Sequence, residues 1–345
     1  MKVSSVFNNE FLETLGVLDW GYTEDPIPVS LSHYENWVND SKHSPLHYLS
    51  DHRKHLRRDL RNVYPEFQSA LVFLFSYQET KKWMIENSRH EVAAYSLGFE
   101  GEDYHFALKN RLQLIYEQLK IKDLQVFYSL DAQPILERDL AHRAGLGWFG
   151  KNSMLINQKE GSYFIIGSLL LNQKLEIEIG QMDIDHCGHC TACADACPTK
   201  AINLETRTLE ASKCISTFTI EVFKEITPPE GYDNSRGEIF GCDICQDVCP
   251  WNRKPLSRVE SALNLKDKYL FLKDWIYSWP KEGLKKFIHA ETKRGFKKIL
   301  FGTAFDRPGR DGWLKNLKFI SNPADPLKTR TDEESLPRVH DEEDA

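Results

Sequence analysis

All eight cysteines of the chain fall between residues 187 and 250. Cys187, Cys190, Cys193 and Cys197 precede Pro198 in the pattern CxxCxxCxxxCP. A run of this kind holds one 4Fe-4S cube with its first three thiolates and sends the fourth to a neighbouring cube. Cys242, Cys245 and Cys249 precede Pro250 as CxxCxxxCP, one cysteine short, and the isolated Cys214 fills the gap. The crossed geometry of such runs predicts Cys187, Cys190, Cys193 and Cys249 on one cluster, and Cys242, Cys245, Cys214 and Cys197 on the other. Zinc fits poorly, because its sites group CxxC pairs in separated twos. A disulfide framework suits a short secreted chain rather than a long one with its cysteines confined to one segment. His186 and His189 lie inside the motif and are expected as polar neighbours of a cluster.

Iron–sulfur clusters move single electrons, so another centre must use them. The residues before Cys187 are far more than an electron carrier needs, and the reaction is expected there. Asp131 is their best candidate acid, at the end of an expected strand and just before a helix. An aspartate three residues before Pro134 can equally cap the helix or shape the turn. Tyr104 and His105 open a long helix and could face the same cleft. Glu137 and Arg138 fall in the first turn of the next helix, where a cap or a salt bridge explains them. Gly145, Gly147 and Gly150 match GxGxxG, but a helix precedes them and β-like SMLIN follows, which is the wrong context for a dinucleotide site. Glycines that let the backbone approach some other large ligand are the better explanation.

The elements that must position these groups can be sketched from periodicity. The first seventy residues read as helices and loops: FLETLG, YENWVND and the basic HYLSDHRKHLRRDL. ALVFLFSY at 70–77 is a buried strand, and LQVFYSL at 124–130 is a second one. YHFALKNRLQLIYEQLK at 104–120 sets Phe106, Leu108, Leu112, Ile115, Tyr116 and Leu119 near one face of a helix. Pro134 then starts the helix PILERDLAHRAG at its first position. SMLIN and YFIIGSLLL are expected as a hairpin with Gly161 in the turn. After Pro250 the chain returns to helix.

With 345 residues, 41% hydrophobic and 28% charged, the chain can bury one large core or two moderate ones. No apolar stretch approaches the ~20 residues of a membrane helix. The opening MKVSSVFNNEF shows no signal for secretion or twin-arginine export, and a cytoplasmic protein is expected. The net charge of −7 argues against nucleic acid as a partner, but its distribution does not. Residues 281–318 carry eleven Lys or Arg against four acids, and a second basic knot runs from Arg53 to Arg61. Residues 323–345 carry eight acids against three bases and too few apolar residues to fold, so a disordered acidic tail is expected.

The stretches LDAQPILERDLAHRAGLGWFGKNSMLI, DHCGHCTACADACPTKAI, SKCISTFTIE and GCDICQDVCPWN, in that order, resemble the epoxyqueuosine reductases over about residues 45–320. The resemblance implies a cytoplasmic, cobalamin-dependent oxidoreductase with two 4Fe-4S clusters. Such an enzyme reduces the epoxide of epoxyqueuosine at the tRNA wobble position to the alkene of queuosine. It implies Asp131 as the proton donor to the departing oxygen and a corrin ring against the glycine loop. Arg57, Leu155 and Ile166 are then wall positions of the cobalamin pocket, Tyr104 and His105 line it, and Ser216 and Asp243 lie near the cofactor tail. The implied partners are tRNA, contacted through the basic helices, and a low-potential electron donor of flavodoxin or ferredoxin type, with the protein acting as a monomer.

The expected fold class is α+β. Residues 1–175 form an α/β cobalamin-binding catalytic domain, 176–255 a ferredoxin-like domain with two 4Fe-4S clusters, 256–322 a short basic helical region contacting tRNA, and 323–345 the acidic tail. The extended helical tail of longer members is expected to be absent or reduced. Two other functions use parts of this pattern. A reductive dehalogenase also pairs a corrinoid with two clusters, but is usually exported and needs no basic helices. A ferredoxin-type carrier leaves the first half of the chain unexplained.

Overall fold

The run ALVFLF is apolar at every position because both of its faces are covered. In the computed structural model, which describes residues 7–224, 226–278 and 281–319, this run is strand β2 (Ser69–Ser76) at the centre of a sheet. Leu71, Phe73 and Phe75 point into one core cluster, and Ala70, Val72 and Leu74 into another. Period-2 alternation on a strand buried on both sides gives this continuous hydrophobic stretch. The expected acidic tail, 323–345, lies outside the described residues.

In chain order the N-terminal half comprises α1 (Asn9–Thr14), β1 (Val17–Thr23), α2 (Leu31–Asn39), β2, α3 (Gln78–Glu86), α4 (Tyr104–Leu119), β3 (Val126–Ser129), α5 (Glu137–Arg143), β4 (Trp148–Phe149), β5 (Leu155–Ile156) and β6 (Phe164–Leu171). The main sheet has the order β1-β2-β6-β3 and is antiparallel throughout, with Phe73 opposite Gly167 and Val126 opposite Leu171. Helix α4 covers one face through Leu108, Leu112 and Ile115, and α5 covers the other through Leu140 and Ala141. Removing a buried leucine such as Leu112 from this contact would cost about 2–5 kcal/mol.

Several expected elements take a different form. Phe106 is 50% exposed, since it lies on the opposite side of α4 from Leu108, and it leans towards Phe301 with ring centroids 6.5 Å apart. The basic segment is not one helix but four short turns, His47–Leu49, His52–Lys54, Leu56–Arg58 and Leu60–Asn62. Asp51 and Asp59 interrupt it by accepting the backbone N–H groups of Arg53 and Arg61, each at 2.9 Å. Helix α5 starts at Glu137 rather than Pro134. Gln133 ties up the intervening loop, its side-chain oxygen accepting from Leu130 N–H at 2.9 Å and its carbonyl from Ile135 N–H at 2.8 Å. The expected hairpin is also rearranged. β5 pairs with β4, while β6 leaves to fill the sheet between β2 and β3. Gly161 sits between them at φ +67°, where a Cβ would stand 2.2 Å from the Asn252 side-chain oxygen.

The second half continues with α6 (Ala192–Asp195), β7 (Ile202–Asn203), β8 (Thr208–Leu209), α7 (Ile215–Ile220), α8 (Ile244–Asp247), α9 (Arg253–Arg258), α10 (Phe271–Lys273), α11 (Lys281–Ala290), α12 (Lys293–Leu300) and α13 (Gly309–Phe319). Trp313 of α13 stacks on Phe240 at 5.8 Å with an interplanar angle of 11°, and Phe305 and Trp275 close around the pair. One apolar cluster thereby runs from Leu71 in β2 to Leu317 in α13. No helix of the described residues is long and apolar enough to cross a membrane.

Candidate active site

Asp131 follows β3 with φ +61°, a left-handed conformation that a short polar side chain tolerates. This turn lifts its carboxylate off the sheet, where it is exposed and accepts a hydrogen bond from the Tyr104 hydroxyl at 2.8 Å. Tyr104 is fixed in turn. Its ring stacks on His105 at 4.1 Å and meets Tyr95 edge-on at 5.8 Å. Asp103 caps α4 by accepting from His105 N–H at 2.8 Å, and its carboxylate lies 2.7 Å from His105 Nδ1. Burial pushes the Asp103 carboxyl up, but the hydrogen bonds from His105 outweigh it and hold the group below its ordinary value.

The groups around Asp131 form a cleft. Tyr48, Tyr95, Tyr104, Glu137 and Arg138 all keep contact with solvent, yet surrounding protein disfavours the charged form of each. Burial first, then Glu221 and Asp131, push the Tyr48 phenol up to about 12. Burial and the nearby Asp131 likewise raise Tyr104 and Tyr95 well above the usual phenol range. The Glu137 carboxyl is pushed up to about 8, by burial first and then by Asp131, and its buried Oε1 has no hydrogen-bond partner. Arg138 does not pair with it in a hydrogen bond to that atom; its Nη1 donates instead to the Ser153 carbonyl.

The other expected pocket residues occupy varied places. Arg57 is buried, donates to the Arg53 carbonyl at 3.2 Å and lies over the Tyr34 ring at 6.0 Å. Leu155 is fully buried and Ile166 partly so, both packed in the core beneath the loop that carries Ile135. Ser216 is half-buried at the start of α7, two residues after Cys214. Asp243 is buried, its carboxylate taken by Lys81 Nζ at 2.9 Å and Ala94 N–H at 2.9 Å. Lys81 also reaches Asp247 at 2.6 Å, and Arg236 joins Asp247 to Glu238, so this buried network bolts α3 to the second cysteine run.

The glycine loop packs against the chain's own backbone. A Cβ on Gly147 would stand 2.1 Å from the Ile156 carbonyl oxygen, and one on Gly145 would stand 3.0 Å from the Gln181 backbone. At both glycines the chain's own backbone approaches closely. The residues that follow them reach both cysteine runs. Lys151 Nζ donates to the carbonyls of Gly188 at 2.6 Å and Cys190 at 2.9 Å, and Asn152 approaches the Cys245 carbonyl at 3.4 Å.

None of the eight cysteines is in a disulfide. Among the described residues, no three His, Cys, Asp or Glu side chains gather as a site for a single metal ion. The thiols sense one another in two sets. Cys249 is pushed up to about 11 by burial first, and then by Cys187, Cys193 and Cys190. Cys242 is raised by burial and, among the cysteines, by Cys245 and Cys214, while Cys214 senses Cys197. Cys245 senses Cys214, and also Cys193 of the first set, so the sets are neighbours. Thiolate ligands of two adjacent cubes would have this arrangement. His186 is held by Asp183 at 2.9 Å and packs edge-on against Trp148 at 4.7 Å beside Cys187 and Cys249.

Residues 186–252 match a family described as 4Fe-4S double cluster binding domain, and residues 57–131 match Epoxyqueuosine reductase QueG, DUF1730. An epoxyqueuosine reductase of Cyclobacterium marinum is 35% identical over 90% of this chain and 92% of its own length. The chain belongs to the epoxyqueuosine reductase family. The Escherichia coli epoxyqueuosine reductase is 31% identical over 88% of this chain and 76% of its own length. Among solved structures, the Streptococcus thermophilus epoxyqueuosine reductase shares the fold with a TM-score of 0.69 and 22% identity, over 89% of this chain and 78% of that one. A crystal structure of epoxyqueuosine reductase with an epoxyqueuosine-modified tRNA-Tyr stem loop gives 0.66 and 25% identity over the same shares. The α+β class and an oxidoreductase with a double-cluster domain, expected from the sequence, hold for this epoxyqueuosine reductase family member. Within its cleft, sequence reasoning missed Tyr48 and Tyr95 altogether and explained Glu137 by a cap or a salt bridge. Helix α5, however, has Leu136 at its cap position and no side-chain cap hydrogen bond.

Proposed function

We propose that this protein reduces the epoxide of epoxyqueuosine at the wobble position of a tRNA anticodon to the alkene of queuosine. Asp131 donates the proton to the departing oxygen. The observation that carries this is the placement of Asp131, held by Tyr104 at the mouth of a desolvated aromatic cleft. Membership of the family supports the reaction, and the tRNA complex of a relative supports the substrate.

Two 4Fe-4S clusters would be held by Cys187, Cys190, Cys193 and Cys249, and by Cys197, Cys214, Cys242 and Cys245. The two sets in which the thiols sense one another support this division. Cobalamin, when bound, would supply the strongly reducing two-electron chemistry that opens the epoxide. The tyrosines gathered near Asp131, Tyr48, Tyr95 and Tyr104, and the buried unpartnered Glu137 carboxyl oxygen beside them suit a ligand that brings both apolar surface and polar groups. Arg57, Tyr104, His105, Leu155, Ile166, Ser216 and Asp243 are its proposed contacts. The Tyr104 hydroxyl orients the Asp131 carboxyl, and the aromatic rim excludes water once substrate is seated.

Residues 1–175 would then serve catalysis, 176–255 electron transfer, and the basic 256–322 region tRNA binding. A low-potential flavodoxin or ferredoxin in the cytoplasm would feed the clusters of a monomer. The test is anaerobic reconstitution followed by an iron and cobalt count and an assay on epoxyqueuosine tRNA. Eight irons, one corrinoid and formation of queuosine are expected. Eight irons without corrinoid binding would point instead to an electron carrier.

A further inference from the structure

Reduction of an epoxide to an alkene and water consumes two electrons and two protons. Both C–O bonds break, a C=C bond forms and the oxygen leaves as water. Asp131, as a single carboxyl, holds one of the two protons. Once cofactor and substrate fill the cleft, the second has to come from within the protein.

We propose that Glu137 stores this second proton and passes it to the substrate through Asp131. This rests on the reading of the cleft as the epoxide-reducing site. Glu137 opens α5 six residues after Asp131, with Oε1 buried and without a hydrogen-bond partner. Burial makes a carboxylate in that position costly, whereas a protonated carboxyl is better tolerated. The charged groups facing it are Asp131, Arg138 and Arg57. Both arginines favour ionisation, but each is engaged elsewhere: Arg138 by the Ser153 carbonyl, Arg57 by the Arg53 carbonyl and the Tyr34 ring. Burial and Asp131 outweigh them, holding the carboxyl near 8.

The order of events follows. Asp131 protonates the oxygen as the first C–O bond breaks and becomes a carboxylate. Glu137 reprotonates Asp131, which gives this second proton as the other C–O bond breaks and water departs. Two electrons from the low-potential donor complete the balance. Glu137 recovers its proton from solvent when the cleft empties. Only Asp131 touches the substrate, so Glu137 is a positioning residue for the proton rather than a catalytic one.

The experiment compares holoenzyme of wild type, Glu137→Gln and Glu137→Asp in single turnovers on epoxyqueuosine tRNA from about pH 6 to 9, alongside tRNA affinity and iron content. Glu137→Gln is expected to bind tRNA and iron normally, to slow by at least about ten-fold, and to lose the fall in rate near pH 8, with partial rescue in Glu137→Asp. A Glu137→Gln rate within about two-fold of wild type and an unchanged profile overturns the proposal. An inactive wild type would instead sink the epoxide reading. The proton store is then judged by the infrared difference between wild type and Glu137→Gln. A protonated carboxyl band at pH 7 that fades above pH 8 supports it, and absence of that band overturns it.

Discussion

The Tyr104 hydroxyl and the Asp131 carboxylate, 2.8 Å apart, join the first turn of α4 to the end of β3 across the mouth of the cleft. Two elements on different sides of the sheet edge are thereby locked at the point where chemistry is proposed. Asp131 also sits at φ +61°, so without this tie its turn has less to hold it. Asp131→Asn should keep iron, corrinoid and tRNA binding and lose turnover by about a hundred-fold or more. Tyr104→Phe should be milder, about ten-fold, because a single hydrogen bond is removed and the acid remains. Rapid-quench assays on both variants separate the roles. Wild-type rates for Asp131→Asn would remove it from the mechanism.

Glu137 also predicts a pH-dependent stability that needs no substrate. Its carboxyl is raised in the folded protein from 4.5 to about 8, by burial first and then by Asp131. The sign follows from proton binding: the folded state takes up the proton more tightly than the unfolded chain. Its contribution is fully present below about 4.5 and is lost as pH rises through about 8. Glu137→Gln, which carries no charge at any pH, should therefore melt with wild type near pH 4.5 and several degrees above it near pH 9. Equal melting shifts at both pH values would show that Glu137 is not buried as an acid.

Much of the scaffold was legible because it depends on local pattern. The ALVFLF run, the Leu108, Leu112 and Ile115 spacing and the cysteine runs each state their environment within a few residues. Strand β1 was missed because it bulges between Val17 and Asp19 and carries Gly21, whose Cβ would stand 2.1 Å from the Ala144 carbonyl. A partner over a hundred residues away dictates that glycine, and no window of sequence contains it. The cleft is hidden for the same reason. Tyr48, Tyr95, Tyr104 and Glu137 come from four separate segments, and only the folded chain gives them a common wall. The family pattern located Asp131, but what Glu137 experiences is set by Asp131 together with Arg57 from a distant turn.

Lys151 offers a test of the glycine loop as a bolt to the first cysteine run. Its ammonium holds the carbonyls of Gly188 and Cys190, within the first cysteine run. Charge-assisted hydrogen bonds of this kind are worth about 1.5–3 kcal/mol each. Lys151→Met should leave the fold intact and loosen the loop that offers Cys187 and Cys190. The expected result is selective loss of one cluster on mild chelation, read as iron falling from about eight to about four per chain. Iron retention equal to wild type would show that the loop is held by the cysteines alone.

The basic helix α12 should decide where the RNA lies. Phe296 and Leu300 are buried beneath it, while Lys297 and Lys298 are exposed on its outer face. Burial of the apolar positions fixes the helix, so the two lysines can change sign without unfolding it. Each lysine–phosphate contact releases about one counterion, and the logarithm of affinity falls with the logarithm of salt accordingly. Lys297→Glu with Lys298→Glu should weaken binding of an anticodon stem loop by at least about ten-fold at low salt, and reduce the magnitude of the salt slope by about 2. The deficit should shrink as salt rises, because the lost term is electrostatic. Fluorescence anisotropy across a salt series, with iron content and melting temperature as controls for folding, gives both numbers. An unchanged slope with intact clusters would move the RNA away from α12, towards the Arg53–Arg61 turns beside Tyr48.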